Sequence, residues 1–250
     1  GRTEECYGED AYLTSVMTAA FVRGLQGDDP KYFRAASLMK HFLANSNEDH
    51  RERTSSNFDE RLFHEYYAAP FRAGVQAGSR AFMAAYNAYN GVPCTIHPVL
   101  RDVTVEAWGQ DGIRCTDAGA YRMLVNDHQT FATLPEAAAA CIRAGITQFL
   151  DDFRDGTNVA LKLGLLAEAD IDAALRGTYR VMLRLGLLDP KERVPYATVD
   201  PDVNPVELPA HRELVRRATE KSVVLLKNDG DLLPLDRHRV RSVALIGPFT

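Results

Sequence analysis

The architecture of this chain is inferred most directly from the segment Gly112-Ile113-Arg114-Cys115-Thr116-Asp117-Ala118-Gly119-Ala120. The segment predicts a short buried strand that ends at a carboxylate and continues into a glycine-containing turn. An α/β barrel keeps its catalytic side chains at the carboxyl ends of its strands, and Asp117 occupies such a position. Because Asp is also a preferred N-cap, the segment alone leaves a second interpretation open, in which Asp117 caps the following helix.

Segments with the periodicity of helices and of buried strands alternate along the chain on both sides of this segment. We predict helices over residues 11–25, 59–77, 98–108, 135–143, 158–163 and 171–185, and strands over 35–42, 80–86, the residues before Asp117, and 146–150. This alternation is typical of a parallel sheet with crossover helices. The units amount to about half of a (β/α)8 barrel, so we predict an α/β fold that contains part of a TIM-type barrel.

Two of the predicted helices carry an apolar stripe that we expect to be buried against the rest of the domain. The stripe of the helix over 11–25 comprises Leu13, Val16, Met17, Ala20, Phe21 and Leu25. The stripe of the helix over 171–185 comprises Ile171, Leu175, Tyr179, Met182 and Leu183.

The composition changes near residue 190, where the chain becomes rich in proline: Pro190, Pro195, Pro201, Pro205 and Pro209. We interpret residues 1–190 as the C-terminal part of a (β/α)8 barrel catalytic domain and residues 191–210 as a stiff, proline-rich linker. Residues 211–250 combine a helical stretch with apolar segments at 222–226 and 240–246, which predicts the beginning of a second α/β sandwich domain. Because the chain begins at Gly1 and ends after a predicted strand without a partner, we expect a piece of a longer protein.

The composition argues against several classes of function. The net charge is −5 with both signs interspersed, and the absence of a basic run argues against a nucleic-acid partner. No window of about 18 consecutive apolar residues is present, so the sequence predicts no membrane span. The spacing of the cysteines matches no zinc motif, so we expect them to be buried free thiols. The sequence alone does not exclude a disulfide between two of them. The cysteines are Cys6, Cys94, Cys115 and Cys141.

Polar side chains stand at the ends of the predicted strands. Lys40 and His41 close the strand over 35–42, Tyr86 closes the next strand, and Asp117 follows the third. Because the parallel strands of a barrel end on one rim, we expect a cation, an imidazole, a phenol and a carboxylate to converge there. Such a set suits a polyhydroxylated ligand, and nearby cations favour the ionised form of a nucleophilic carboxylate. The structural alternatives are a surface role for Lys40 and core packing for His41 and Tyr86.

Several motifs resemble glycoside hydrolase family 3, the family of β-glucosidases and β-xylosidases. The resemblance is carried, in the order of the family, by Gly1-Arg2 with Tyr7–Leu13, and by Lys40–Glu48, Asp59–Arg61, Ala85–Cys94, Trp108–Gly112 and Thr116–Ala120. Further segments resemble the start of the family's second domain: Val223–Asn228, Leu233–Leu235 and Ala244–Pro248. Together the motifs cover nearly the whole chain, which makes the resemblance specific.

The resemblance implies a retaining β-glycoside hydrolase that acts on non-reducing-end β-linked glucosides or xylosides. At the positions that match the family's motifs, Asp117 is the expected nucleophile; the expected ligands of the sugar in the −1 subsite are Arg2, Lys40, His41 and Tyr86. The implied partner is a β-linked oligosaccharide or glycoside, with no nucleic acid, membrane, metal or organic cofactor. The resemblance favours a periplasmic or secreted protein, and the sequence leaves the compartment and the oligomeric state open.

Some positions depart from the family's usual pattern. Ala118 follows the expected nucleophile where most members have Trp, so an aromatic wall near the leaving group is absent, and Thr147 stands where an Asp is frequent. Leu43-Ala44 replaces the signature of the β-N-acetylglucosaminidase branch, which argues against that branch. The family's acid/base usually comes from the second domain, beyond Thr250, so we expect these 250 residues alone to have little activity.

Two other functions are compatible with these residues. The first is a non-catalytic sugar-binding remnant of the same fold, which would keep Lys40 and His41 but lack the chemistry. The second is a barrel enzyme of another class, such as an aldolase, in which Lys40 forms a Schiff base with a carbonyl substrate.

Overall fold

The computed structural model describes residues 5–198, 200 and 202–248. These residues belong to two compact units, which divide after residue 198. Within the described part of the chain, no helix combines the length and the apolar character that crossing a bilayer requires.

The first unit alternates short strands with helices. Its strands are β1 (Met39–Phe42), β2 (Ser55–Ser56), β3 (Ala81–Ala84), β4 (Ala88–Tyr89), β5 (Val92–Pro93) and β6 (Ile113–Thr116). Its helices are α1 (Ala11–Gln26), α2 (Glu60–Leu62), α3 (Ala69–Gln76), α4 (Val99–Arg101), α5 (Ala120–Asn126), α6 (Leu134–Ala144), α7 (Arg154–Lys162) and α8 (Glu168–Arg184). π-helical turns at Phe63–Tyr67 and Asp102–Ala107 continue α2 and α4, and 3-10 turns lie at Cys94–Ile96 and Lys191–Arg193.

The central sheet is parallel, with the order β1-β3-β6. The chain after α6 adds one further parallel bridge, between Cys115 and Gln148. Helices connect the successive strands, as parallel pairing requires, because the chain must return to the same end of the sheet. The expected α/β fold, a partial (β/α) domain, is therefore confirmed.

The last predicted strand of this unit, over 146–150, is reduced to the bridge at Gln148. The N–H of Leu150 donates to the side-chain Oγ1 of Thr116 at 3.2 Å. This side-chain acceptor replaces the backbone carbonyl that a continued ladder would use, so the regular strand ends early.

A smaller sheet lies beside the central one, with the order β2-β4-β5. The Asn90-Gly91 pair joins β4 to β5 with positive φ angles of 47° and 83°, as a tight hairpin turn requires. The side chain of Asn87 donates to the carbonyl O of Leu43 at 3.2 Å and to Oγ of Ser56 at 3.4 Å. These contacts hold the segments that follow β1 and β3 against the small sheet.

The core joins the central sheet to α3, α5 and α6. Its largest fully buried apolar side chains are Tyr121, Phe42, Phe82, Leu43, Leu100, Leu124 and Ile146. The ring of Phe42 on β1 lies 5.1 Å from that of Phe82 on β3 and 6.1 Å from that of Trp108. Burying each such ring stabilises the fold by about 2–3 kcal/mol relative to exposure. Aromatic packing in the core therefore stabilises the strands whose carboxyl ends carry the polar residues.

The apolar stripes predicted for α1 and α8 are mostly not the buried faces, and for most of their residues the prediction was wrong. In α1 the stripe residues Leu13, Val16, Met17 and Phe21 are exposed and Leu25 is half-buried, whereas Val22 and Gln26 are buried. In α8 the fully buried residues are Gly177 and Val181, and of the predicted stripe Ile171 and Met182 are half-buried, Ile171 against the core. A Cβ at Gly177 would lie only 2.3 Å from the carbonyl O of Gly112, so α8 approaches the start of β6 through a position without a side chain. This close approach turns the larger residues of α8 outward: Leu175, Tyr179 and Leu183.

The second unit consists of α9 (Pro209–Ser222) with 3-10 turns at Pro205–Glu207 and Asp229–Asp231. Among its described residues, the strands predicted over 222–226 and 240–246 are not formed. A strand forms only where a neighbour satisfies its backbone N–H and C=O groups, and these two segments do not pair with each other. The assignment of 191–210 as a linker and of 211–250 as the beginning of a second α/β sandwich domain stays a prediction.

Candidate active site

The carboxyl ends of β1, β3 and β6 lie side by side, because the three strands are parallel and adjacent. His41 belongs to β1, Tyr86 follows β3 after one intervening residue, and Asp117 directly follows β6. The structure brings these three side chains together at one edge of the sheet.

Asp117 is the carboxylate of this group, and only 13% of its side chain is exposed. Its Oδ2 lies 3.3 Å from Nε2 of His41, whose side chain is 7% exposed. Its Oδ1 accepts a hydrogen bond from the backbone N–H of Ala118 at 2.7 Å. A carboxylate this deeply buried needs such partners to compensate the loss of water.

Asp117 does not cap the helix that follows it. The N-cap residue of α5 is Gly119, with φ 79° and ψ −9°, and no side chain caps this helix. The capping interpretation is therefore wrong, and the Asp117 carboxylate is engaged with His41 and Ala118 instead.

Tyr86 contributes a phenol beside Asp117. Its hydroxyl donates to the carbonyl O of Ala118 at 2.8 Å. Burial, followed by the negative charge of the neighbouring Asp117 carboxylate, raises the pKa of Tyr86 to about 12. The guanidinium of Arg51, 5.0 Å from the centre of the ring, acts in the opposite direction. The phenol therefore stays protonated at neutral pH and keeps its hydrogen bond to Ala118.

The backbone carbonyl of Tyr86 forms a hydrogen bond with a histidine side chain. Nε2 of His128 lies 2.8 Å from the carbonyl O of Tyr86. Since a carbonyl can only accept, this ring nitrogen carries the hydrogen. The contact fixes the segment that follows β3 and, with it, the position of the phenol.

Lys40 is adjacent to His41 in the sequence but has a different partner. Its Nζ lies 2.9 Å from Oε2 of Glu5, and the two side chains are 46% and 39% exposed. An ion pair this exposed is worth at most about 1 kcal/mol, so the ammonium can change partner at little cost. Arg2 lies outside the described residues, and its role stays a prediction.

The cysteines near the sheet are not candidates for a nucleophile. Cys94, Cys115 and Cys141 are buried thiols without a disulfide. Burial raises the pKa of both Cys94 and Cys115 to about 12, so neither is a thiolate at neutral pH. Among residues 5–198, 200 and 202–248, no three His, Cys, Asp or Glu side chains are arranged to hold a metal ion.

Sequence reasoning missed Asp151, which accepts a hydrogen bond from the backbone N–H of Gly119 at 2.5 Å. A signal for it was present, because Asp151 follows the predicted strand over 146–150 as Asp117 follows its own strand. Arg51 was missed for a different reason. It belongs to a polar loop with no regular pattern, and only the folded chain brings it over the ring of Tyr86.

Comparison with known proteins gives consistent sequence relationships. A sequence model described as the glycosyl hydrolase family 3 N-terminal domain matches residues 1–181. The chain is 34% identical over 256 residues to the periplasmic β-glucosidase of Salmonella typhimurium, and 35% identical over 259 residues to β-D-xylosidase 1 of Arabidopsis thaliana. These alignments cover 100% and 99% of this chain but 33% of each relative, so the chain spans about a third of their length.

Solved structures show the same relationship. A β-glucosidase from Listeria innocua in complex with isofagomine matches with a TM-score of 0.83 at 29% identity, over 94% of this chain and 34% of that one. A family 3 exo-β-xylosidase in complex with a xylobiose aziridine activity-based probe matches with a TM-score of 0.84 at 27% identity, over 94% and 32%. With the family's N-terminal domain matched over residues 1–181, the chain belongs to glycoside hydrolase family 3.

Proposed function

We propose that the protein containing this chain is a retaining β-glycoside hydrolase that acts on non-reducing-end β-linked glucosides or xylosides. The observation that carries the proposal is the nearly buried carboxylate of Asp117, 3.3 Å from Nε2 of His41 at the carboxyl end of β6. The relatives named β-glucosidase and β-xylosidase support these two sugars as the substrate class.

Asp117 is the nucleophile of the proposed mechanism. One of its carboxylate oxygens attacks the anomeric carbon, the bond from this carbon to the leaving oxygen breaks, and a general acid protonates the leaving group. Water then attacks the glycosyl ester, with the same group now acting as a base, and the β configuration is retained. The contacts of the carboxylate with His41 and with the N–H of Ala118 fix its orientation before the sugar binds.

The sugar in the −1 subsite is bound, in this proposal, by Arg2, Lys40, His41 and Tyr86. The phenol of Tyr86 lies next to the reacting centre; its hydrogen is donated to the carbonyl O of Ala118, and its oxygen can accept a hydrogen bond from a sugar hydroxyl. Lys40 exchanges its exposed contact with Glu5 for a sugar hydroxyl. Hydrogen bonds from charged groups such as this ammonium are stronger than neutral ones, which favours a ligand with several hydroxyls.

The test is trapping with a 2-fluoro β-glycoside in the full-length protein, with turnover of aryl β-glucosides and β-xylosides measured in parallel. We expect one sugar mass on the peptide that contains Asp117. Asp117→Asn should abolish this label and lower kcat by about 10³-fold or more, as removal of a catalytic nucleophile does. The matched control is Asp152→Asn, which changes an exposed carboxylate of the same unit and should leave both readouts unchanged.

The same experiment distinguishes the other functions. Sugar binding without a label on Asp117 across several 2-fluoro sugars would indicate the non-catalytic sugar-binding protein and overturn the proposal. A carbonyl substrate fixed to Lys40 by borohydride would indicate a Schiff-base enzyme.

A further inference from the structure

Asp151 is a second carboxylate at the turn that carries Asp117, and the proposed mechanism does not use it. Its Oδ1 accepts the hydrogen bond from the N–H of Gly119 at 2.5 Å. Its Oδ2 is buried and has no hydrogen-bond partner within the described residues. A buried acceptor without a partner costs free energy. The position of Asp151 therefore needs an explanation other than stability.

Contacts on either side of Asp151 fix where its carboxylate lies. The N–H of Leu150 donates to Oγ1 of Thr116 at 3.2 Å. The carbonyl O of Asp152 accepts from the hydroxyl of Tyr121 at 2.9 Å. Thr116 precedes the turn and Tyr121 follows it, so the residues on either side of Asp151 are hydrogen-bonded to both ends of the turn.

The turn offers two consecutive N–H groups, those of Ala118 and Gly119. Asp117 accepts from Ala118 at 2.7 Å, and Asp151 accepts from Gly119. An aspartate side chain commonly accepts from the N–H two residues ahead in an Asx turn, and for Asp117 that donor is Gly119. In the structure, the N–H of Gly119 donates to Asp151 instead. Asp117 is thereby kept from forming this Asx turn with Gly119, and its hydrogen bond with the adjacent N–H of Ala118 leaves Oδ2 facing His41.

We infer that Asp151 is a positioning residue for the proposed nucleophile. By accepting from Gly119, it keeps the carboxylate of Asp117 directed to His41. The inference rests on the proposed function of Asp117. It requires an acceptor atom at residue 151 and not a charge, so an asparagine there should be sufficient and an alanine should not.

The experiment compares Asp151→Ala and Asp151→Asn with the wild type in the full-length protein. The control is Asp152→Ala, which keeps the carbonyl bonded to Tyr121 and removes an exposed side chain. The rate of inactivation by a 2-fluoro glycoside reports on the attack by Asp117, and kcat, KM and the melting temperature are measured beside it. We expect Asp151→Ala to slow inactivation and kcat by about 10- to 100-fold, as a small misplacement of a reacting group does, with KM little changed. Asp151→Asn and the control should stay within about 3-fold of the wild type.

Mass spectrometry of the labelled peptides separates this inference from the proposed function. If the wild type carries no sugar on Asp117, the proposed function fails whatever the variants do. If the wild type is labelled there and Asp151→Ala reacts at the same rate, the positioning role fails while the nucleophile stands. Asp151→Asn provides an independent test if the alanine variant does not fold: a rate near that of the wild type supports the role, and a loss of 10-fold or more refutes it, because the charge would then be the requirement.

Discussion

Replacing Gly177 with alanine should destabilise the chain, although alanine is the better helix former. Gly177 lies within α8, where an added Cβ would stand 2.3 Å from the carbonyl O of Gly112 and 3.3 Å from Cγ2 of Thr147. Ordinary contacts begin at 3.4 Å, and the nearest atom is backbone that cannot rotate away. The helix and the start of β6 must therefore separate by about 1 Å in a region packed to crystal-like density.

The expected magnitude is the difference between two opposing effects. Alanine in place of glycine in a helix interior stabilises by about 0.5–1 kcal/mol. Overpacking a close contact costs about 1–3 kcal/mol, and a clash with backbone belongs at the upper end of that range. We therefore expect Gly177→Ala to lower the free energy of unfolding by about 2 kcal/mol.

Two other helix glycines provide matched controls. An added Cβ at Gly24 of α1 would have nothing within 4 Å, and one at Gly156 of α7 would meet its nearest atom at 3.5 Å. Both alanine variants should be stabilised by about 0.5–1 kcal/mol or be neutral. The assay is urea denaturation of the chain followed by the fluorescence of Trp108, its single tryptophan, whose ring contacts Phe42 in the core. A stabilised Gly177→Ala variant would refute the close approach of α8 to β6.

Two further predictions concern ionisable groups. Burial lowers the pKa of His97 below its usual 6.5. As the pH falls below 6.5, the unfolded state therefore binds a proton at this residue more readily than the native state does, and the free energy of unfolding decreases. His97→Asn, whose side-chain oxygen can still accept from Val99, should show a smaller loss of melting temperature between pH 7.5 and 5, and an unchanged pH dependence would contradict this account. Tyr86→Phe should remove one phenol that ionises near pH 12 from the ultraviolet titration, and should lower kcat/KM of the full-length protein by about 10-fold through the lost hydrogen bond. Full activity of Tyr86→Phe would show that the phenol is only packed against the turn.

The sequence was sufficient for the fold class and for the position of Asp117 along the chain. The alternation of helical and strand periodicity is a local property, and parallel strands require crossover connections, so the α/β fold follows from the order of the elements. A carboxylate directly after a buried strand must lie at the carboxyl edge of the sheet, which is where the structure has Asp117. These inferences need no knowledge of which distant residues touch.

Only the tertiary structure decided which side chains are partners. Lys40 and His41 are neighbours in sequence, yet His41 contacts Asp117 and Lys40 pairs with Glu5. The pattern of apolar residues likewise could not predict the buried face of α8, because the helix approaches β6 through Gly177. Contacts between residues far apart in the chain depend on backbone approach and on competition for donors, and neither is encoded in local periodicity.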